Sequence, residues 1–162
     1  MKLSAQEEYG LRCLIQIGRN QDLNGNSLTI PEISQVEGLS TAHVGKLLRI
    51  LRMGGFIESE RGQSGGYRLG RPAEEIAVSD VLATLGGRLF GSEFCDEHAG
   101  QEELCAHSVN CSIRSLWNNV QFIVDKMLSR VSLREMLGDE GELSNCMQHM
   151  AMELVQISES KQ

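Results

Sequence analysis

The stretch "LTIPEISQVEGLSTAHVGKLLRILRMGGFIES", residues 28–59, decides the architecture. Thr29 and Glu32 have the spacing of a capping box, and Pro31 sits in the first turn, where its missing N–H costs little. Ile33 and Val36 are predicted to give this short helix its inner face. Gly38 turns the chain, and Ser40 is placed to cap a second helix. Val44, Leu47, Leu48 and Leu51 then recur at helical spacing and form one apolar stripe. Ala42, Lys46 and Arg49 fall on the opposite side, flanked by His43 and Gly45, and Gly54-Gly55 ends the helix. A short helix, a glycine turn and a second amphipathic helix make a helix-turn-helix.

Two β-prone segments, 56–60 and 67–69, flank the turn "RGQSGG" directly after that helix. This hairpin has the position of a wing, from which Arg61, Gln63 and Ser64, with Arg68 and Arg71, would reach phosphate or a minor groove. An α-helix fits the major groove, so double-stranded DNA is the expected partner. Thr41, Ala42, Gly45 and Lys46 are the expected neighbours of base edges, and Ser40 and Arg49 of phosphates. The overall charge of −7 opposes this at first sight, but the acid is unevenly spread. Residues 1–72 hold nine Lys/Arg against seven Asp/Glu, whereas residues 73–162 hold six against fifteen. A phosphate-facing surface in the first half is therefore permitted.

Upstream, Leu11, Leu14, Ile15 and Ile17 predict a helix from about residue 4 to residue 18, broken by "NQDLNGNS". Cys13 falls among these apolar residues as a small core side chain. Downstream, "IAVSDVLATLGG" predicts a helix capped by Ser79 and stopped at Gly86-Gly87. Ile113, Trp117, Val120, Val124, Met127, Leu128 and Val131 predict about five turns of amphipathic helix with a wide apolar stripe. In a chain this small, part of that stripe is expected to pack on a second subunit. Ser132 and Glu135 form another capping box. The acidic, Met-rich stretch 138–162 reads as either one loosely docked helix or no fixed structure, and Cys146 within it as a spectator thiol.

Between these helices lies "FCDEHAGQEELCAHSVNC", residues 94–111. Cys95, Cys105 and Cys111 are spaced x9 and x5, with His98 and His107 interleaved. Asp96, Glu97, Glu102 and Glu103 make the surroundings too polar for a core. Thiolates favour zinc, copper(I) and iron–sulfur clusters. The spacing lacks the Cys-x2-Cys pairs common in zinc sites, and by itself leaves cluster and zinc open. No run of 18 apolar residues occurs, so no membrane partner is expected. The N-terminus lacks an apolar signal segment, so a cytoplasmic, reducing location is expected, where clustered thiols bind metal more often than they form disulfides. No dinucleotide-binding glycine fingerprint is present, which speaks against a redox enzyme.

Together these motifs, with "MKLSAQEEYGLRCL" at 1–14, "RGQSGGYRLGRP" at 61–72, "SIRSLWNNV" at 112–120 and "VSLREML" at 131–137, resemble one known family. It is the iron–sulfur cluster regulator and nitrite-sensitive repressor family of bacterial winged-helix transcription factors, and the likeness covers about residues 1–137. The resemblance implies a homodimer with crossing long helices. It also implies a cluster (2Fe-2S or 4Fe-4S) on Cys95, Cys105 and Cys111 whose state controls DNA binding, in a regulator rather than an enzyme. Two departures bear on the ligand set. The first Cys gap is longer than in well-known members, and Arg114 stands where some members place a histidine ligand. Glu8 matches an acidic ligand that other members supply from the partner subunit, with Glu7, His98 and His107 as competitors.

The expected fold class is mainly α with a small β-wing, a winged helix-turn-helix followed by a long dimerisation helix and a Cys-containing loop. The expected divisions are 1–72 for DNA binding, 73–137 for the cluster loop and dimerisation helix, and 138–162 for the tail.

Overall fold

The structure, a computed structural model, describes residues 4–60, 62, 65–86 and 110–159. Cys95, Cys105, His98 and His107, and wing residues Arg61, Gln63 and Ser64, lie outside the described residues.

Helix α1 spans Ala5–Asn24. Ser4 caps it in a reciprocal box in which the Glu7 amide donates to Ser4 Oγ and the Ser4 amide donates to Glu7 Oε2 at 2.7 Å. The helix runs past the expected end at residue 18, because side chains of its last turns find partners there: Asn24 Nδ2 donates to Asn20 Oδ1 at 2.8 Å, and Asn20 Nδ2 donates to the Asn26 carbonyl at 2.7 Å. It stops only at Gly25, which adopts the left-handed conformation (φ 67°) that glycine takes without penalty. The extra turns have a use: Gln21 Oε1 accepts the backbone N–H of Leu69 at 2.9 Å and so ties α1 to the wing.

Helices α2 (Ile30–Glu37) and α3 (Thr41–Met53) follow as the helix-turn-helix. The Thr29/Glu32 box forms as expected, and the Thr29 hydroxyl and amide hold the Glu32 carboxyl below the usual carboxylate range. Ile33 is fully buried, but Val36 is 62% exposed, so the expected inner face is half wrong. The reason lies in the partners: α2 packs on α1 and α3 through Ile33 and the partly buried Ile30, and this leaves Val36 to solvent.

Strands β1 (Ile57–Glu60) and β2 (Gly66–Leu69) pair antiparallel with Ile57 opposite Leu69, and the sheet order is β1-β2. An isolated bridge between Leu28 and Tyr67 hangs the hairpin on the segment ahead of α2.

A short 3-10 turn (Ala73–Glu75) leads to α4 (Val78–Leu85). Its N-cap is Ala77 rather than the expected Ser79. The orphan N–H of Val78 is satisfied by the Val131 carbonyl at 2.9 Å, and Ala77 bridges Ser132, so a distant strand-like segment does the capping that a hydroxyl would otherwise do. Helix α5 spans Ser112–Leu128, α6 Leu133–Leu137 and α7 Glu140–Glu159. Val131 therefore lies beyond the long helix, buried in the segment that pairs with α4. The stretch after residue 138 is helical and touches α5 and α6.

One core joins these parts. Cys13, Leu14 and Ile17 of α1 meet Val44, Leu47, Leu48 and Leu51 of α3, and the cluster continues through Phe56, Ile76, Val81 and Leu85 to Leu133. Each fully buried Leu or Ile contributes about 1.5–3 kcal/mol relative to exposure. Gly10 lets α4 approach, since a methyl there would overlap Leu85. The expected outcome of Leu48→Ala is a loss of about 2–5 kcal/mol in urea unfolding, whereas Val36→Ala should change stability by less than about 0.5 kcal/mol.

Candidate functional site

The outer face of α3 is open. Ser40, Thr41, Ala42, His43, Lys46 and Arg49 are exposed while Val44, Leu47, Leu48 and Leu51 are buried beneath them. Ser40 Oγ accepts the His43 amide at 3.2 Å, so its hydroxyl serves as the cap of the helix whose N-terminal end is presented. Gly45 is informative by what it does not touch. A Cβ there would meet only Ile30 Cδ1, at 3.8 Å, an ordinary contact, and α3 is helical through this position. Nothing in the packing demands glycine, although glycine inside a helix costs about 1 kcal/mol relative to alanine. Close approach of an outside surface is a physical reason to keep it.

The arginines after the wing behave differently from expectation. Arg68 is held by Glu58 at 2.6 Å and by Glu60 at 3.2 Å, so its charge is spent within the hairpin. Arg71 is half-buried, with its guanidinium 5.1 Å from the Phe56 ring centroid. Both are thus engaged by neighbours within the chain, although Arg68 remains exposed.

A link between α1 and α3 went unread in the sequence. Tyr9 packs edge-on against His43, with centroids 5.7 Å apart and planes at 85°. Arg12 lies over the Tyr9 ring at 5.5 Å and pairs with Glu37 at 2.6 Å, while Gln16 donates to the other Glu37 oxygen at 2.8 Å. Glu37 is thus the polar knot between α1 and the turn of the helix-turn-helix. Heptad-style scanning weighs apolar positions and passes over such residues. Of the acidic pair ahead of Tyr9, Glu7 is buried, committed to the cap and packed against Gly86, whereas Glu8 is exposed.

The cysteines divide into types. Cys13 is fully buried, and burial, followed by the charge of Glu37, pushes its thiol up to about 12. Cys146 sits with Sγ 3.6 Å from Glu135 Oε1, and desolvation followed by that carboxylate raises its thiol. Cys111 is half-buried and forms the N-cap of α5, its Sγ accepting the Arg114 amide at 3.3 Å.

Residues 3–139 match the Rrf2 family, described as iron-dependent transcriptional regulators. The chain belongs to this family. Among its relatives, Protein rrf2 of Nitratidesulfovibrio vulgaris is 32% identical over 139 residues, which is 86% of this chain and 89% of that protein. The solved structure of T. potens IscR superposes with a TM-score of 0.65 at 25% identity, covering 85% of this chain and 86% of that one. CymR, the global cysteine regulator of B. subtilis, gives 0.66 at 25% identity over 85% and 96%. The chain is therefore a transcriptional regulator, not an enzyme, with the winged-helix fold of those structures. Among the described residues, no helix is long and apolar enough to cross a membrane.

Two outcomes follow. Gly45→Ala should stabilise the fold by about 0.5–1 kcal/mol in urea unfolding yet weaken DNA binding in a fluorescence-anisotropy titration. The Cys13 thiol, protonated in the fold well above the unfolded thiol range, should resist alkylation until the chain unfolds. Its contribution to stability is complete below that range and falls away as pH rises toward about 12, which alkaline unfolding monitored by circular dichroism would register.

Proposed function

We propose that this Rrf2-family regulator binds double-stranded DNA as a cytoplasmic homodimer under the control of an iron–sulfur cluster held by Cys95, Cys105 and Cys111, with Glu8 of the partner subunit as fourth ligand. The observation that carries the reading is the position of Cys111. Its half-buried sulfur begins α5 and accepts a backbone N–H, a setting that suits a ligating thiolate. The donor set fits as well, since three thiolates and one carboxylate match the soft-plus-weak ligation of a labile cluster. The exposure of Glu8, against the engagement of Glu7 in the helix cap, favours Glu8 of the two. When bound, the cluster supplies a redox-responsive and ligand-sensitive group whose potential follows its ligands and hydrogen bonds.

The residues of the chain supply the coupling. Glu8 is followed by Tyr9, whose ring rests on His43 at the exposed end of α3. A pull on Glu8 therefore bears on the helix that presents Thr41, Ala42, Gly45 and Lys46 to base edges and Ser40 and Arg49 to phosphates. Arg61, Gln63 and Ser64 complete the interface from the wing. Coupling of this kind requires different contacts in two states, and the Tyr9–His43 and Arg12–Glu37 contacts are the ones expected to differ.

The dimer reading rests on α5. Ile113, Leu116 and Ile123 are 60, 54 and 52% exposed, and with Val120 they repeat at three- and four-residue spacing, the pattern of a helix that packs on another helix.

A thiol or zinc site in the same loop is the second reading, favoured by the likeness to the cysteine regulator CymR. Anaerobic purification separates the two. The cluster reading expects a brown protein with iron and sulfide in which Cys105→Ala loses visible absorbance but remains dimeric by sedimentation. A colourless, zinc-bearing protein would overturn it. On the DNA side, Arg49→Ala should lower the slope of log affinity against log salt by about one, and an unchanged slope would exclude a phosphate contact there.

A further inference from the structure

The base of the wing, the end of α1 and α6 border an open cavity of about 410 Å³, lined in part by Asp22, Glu58, Arg68, Arg71, Glu74 and Arg134. Its charges are not evenly satisfied. Arg68 carries Glu58 and Glu60, and Arg134 carries Asp22 and Glu74. Those pairs occupy the carboxylates of the lining. Arg71 alone of the three arginines has no acceptor among the described residues, and its Nε is buried without a hydrogen-bond partner. It is also held in place, with the guanidinium over Phe56 at 5.1 Å and Pro72 following in the chain. A half-buried arginine held against a ring, with no acceptor on its fork, is an arrangement that an oxyanion on its terminal nitrogens would stabilise, because the planar fork matches carboxylate and phosphate oxygens.

We propose that this cavity is a binding site for a small organic anion, a carboxylate or a phosphate ester, whose charged end pairs with Arg71. The volume lies within the range of small-molecule sites. The acidic rim of Asp22, Glu58 and Glu74 selects the kind of ligand. With each of these carboxylates paired to Arg68 or Arg134, the lining suits a compact anion whose other end is neutral or cationic. The site is independent of the Cys loop and lies where α6, through Arg134, meets α1 at Asp22 and the 3-10 turn at Glu74. An occupant would therefore touch three elements whose outer edges here are joined by the exposed ion pairs of Arg134.

The arginine Nε–Hε resonances of the full-length 15N-labelled protein provide the test. Acetate, inorganic phosphate and glycine are each titrated at constant ionic strength against chloride. The expected result is a saturable shift of the Arg71 signal with at least one of the three and none with chloride. Arg71→Gln should weaken that anion by about tenfold or more, followed by neighbouring backbone amides or by thermal shift. Glu74→Gln, which removes one rim charge from an exposed position, should strengthen it. Equal shifts with chloride, or no saturable shift with any probe, would overturn the assignment. So would a shift of Arg71 produced only by duplex DNA, which would make a backbone phosphate the occupant.

Discussion

The burial of one side of α3 governs the molecule. Val44, Leu47, Leu48 and Leu51 are all less than 2% exposed against Cys13, Leu14 and Ile17 of α1, so the helix has no freedom to rotate about its axis. Rotation by even a quarter turn would bring Lys46 or Arg49 toward the apolar core, where burying a charge is costly. The exposed face is therefore fixed by the buried one. The side chains α3 presents outward are thus those the core has no room for.

Polar contacts then orient the elements around that packed pair. Glu37 gathers Arg12 and Gln16 and holds α2 to α1, and Gln21 gives its carbonyl oxygen to the amide of Leu69 at the end of the hairpin. The pairing of Val78 with Val131, and of Ala77 with Ser132, closes the chain on itself from α4 to α6. Exposed ion pairs such as Arg130 with Glu153 add little energy singly, but they choose among arrangements that the apolar core would tolerate equally.

Much of this was legible in the sequence because it depends on local rules. The capping boxes at Thr29–Glu32 and Ser132–Glu135 form, the stripe of α3 is the buried one, and the hairpin has two strands where β-branched and aromatic residues suggested them. The failures share a cause. Val36, Ser79 and Val131 each sit at a position whose state is decided by a distant segment, and periodicity contains no information about which segment arrives. The end of α1 was misread for another reason: its last turn has no apolar side to detect, although Gln21 there has a specific partner. For the candidate site, the outer face of α3 and the cap role of Ser40 were readable, whereas the Tyr9–His43 contact and the internal pairing of Arg68 were not, since both require tertiary geometry.

Cys111 carries a further implication. The same lone pairs that receive the Arg114 amide are those a thiolate would offer to any electrophile or metal. A helix is ordinarily started by a hydroxyl or carboxylate with no other employment. Here the opening turn of α5 is fastened to an atom whose chemistry changes with its surroundings, so alkylation or oxidation of that one sulfur would be written into the backbone as fraying of the turn it begins.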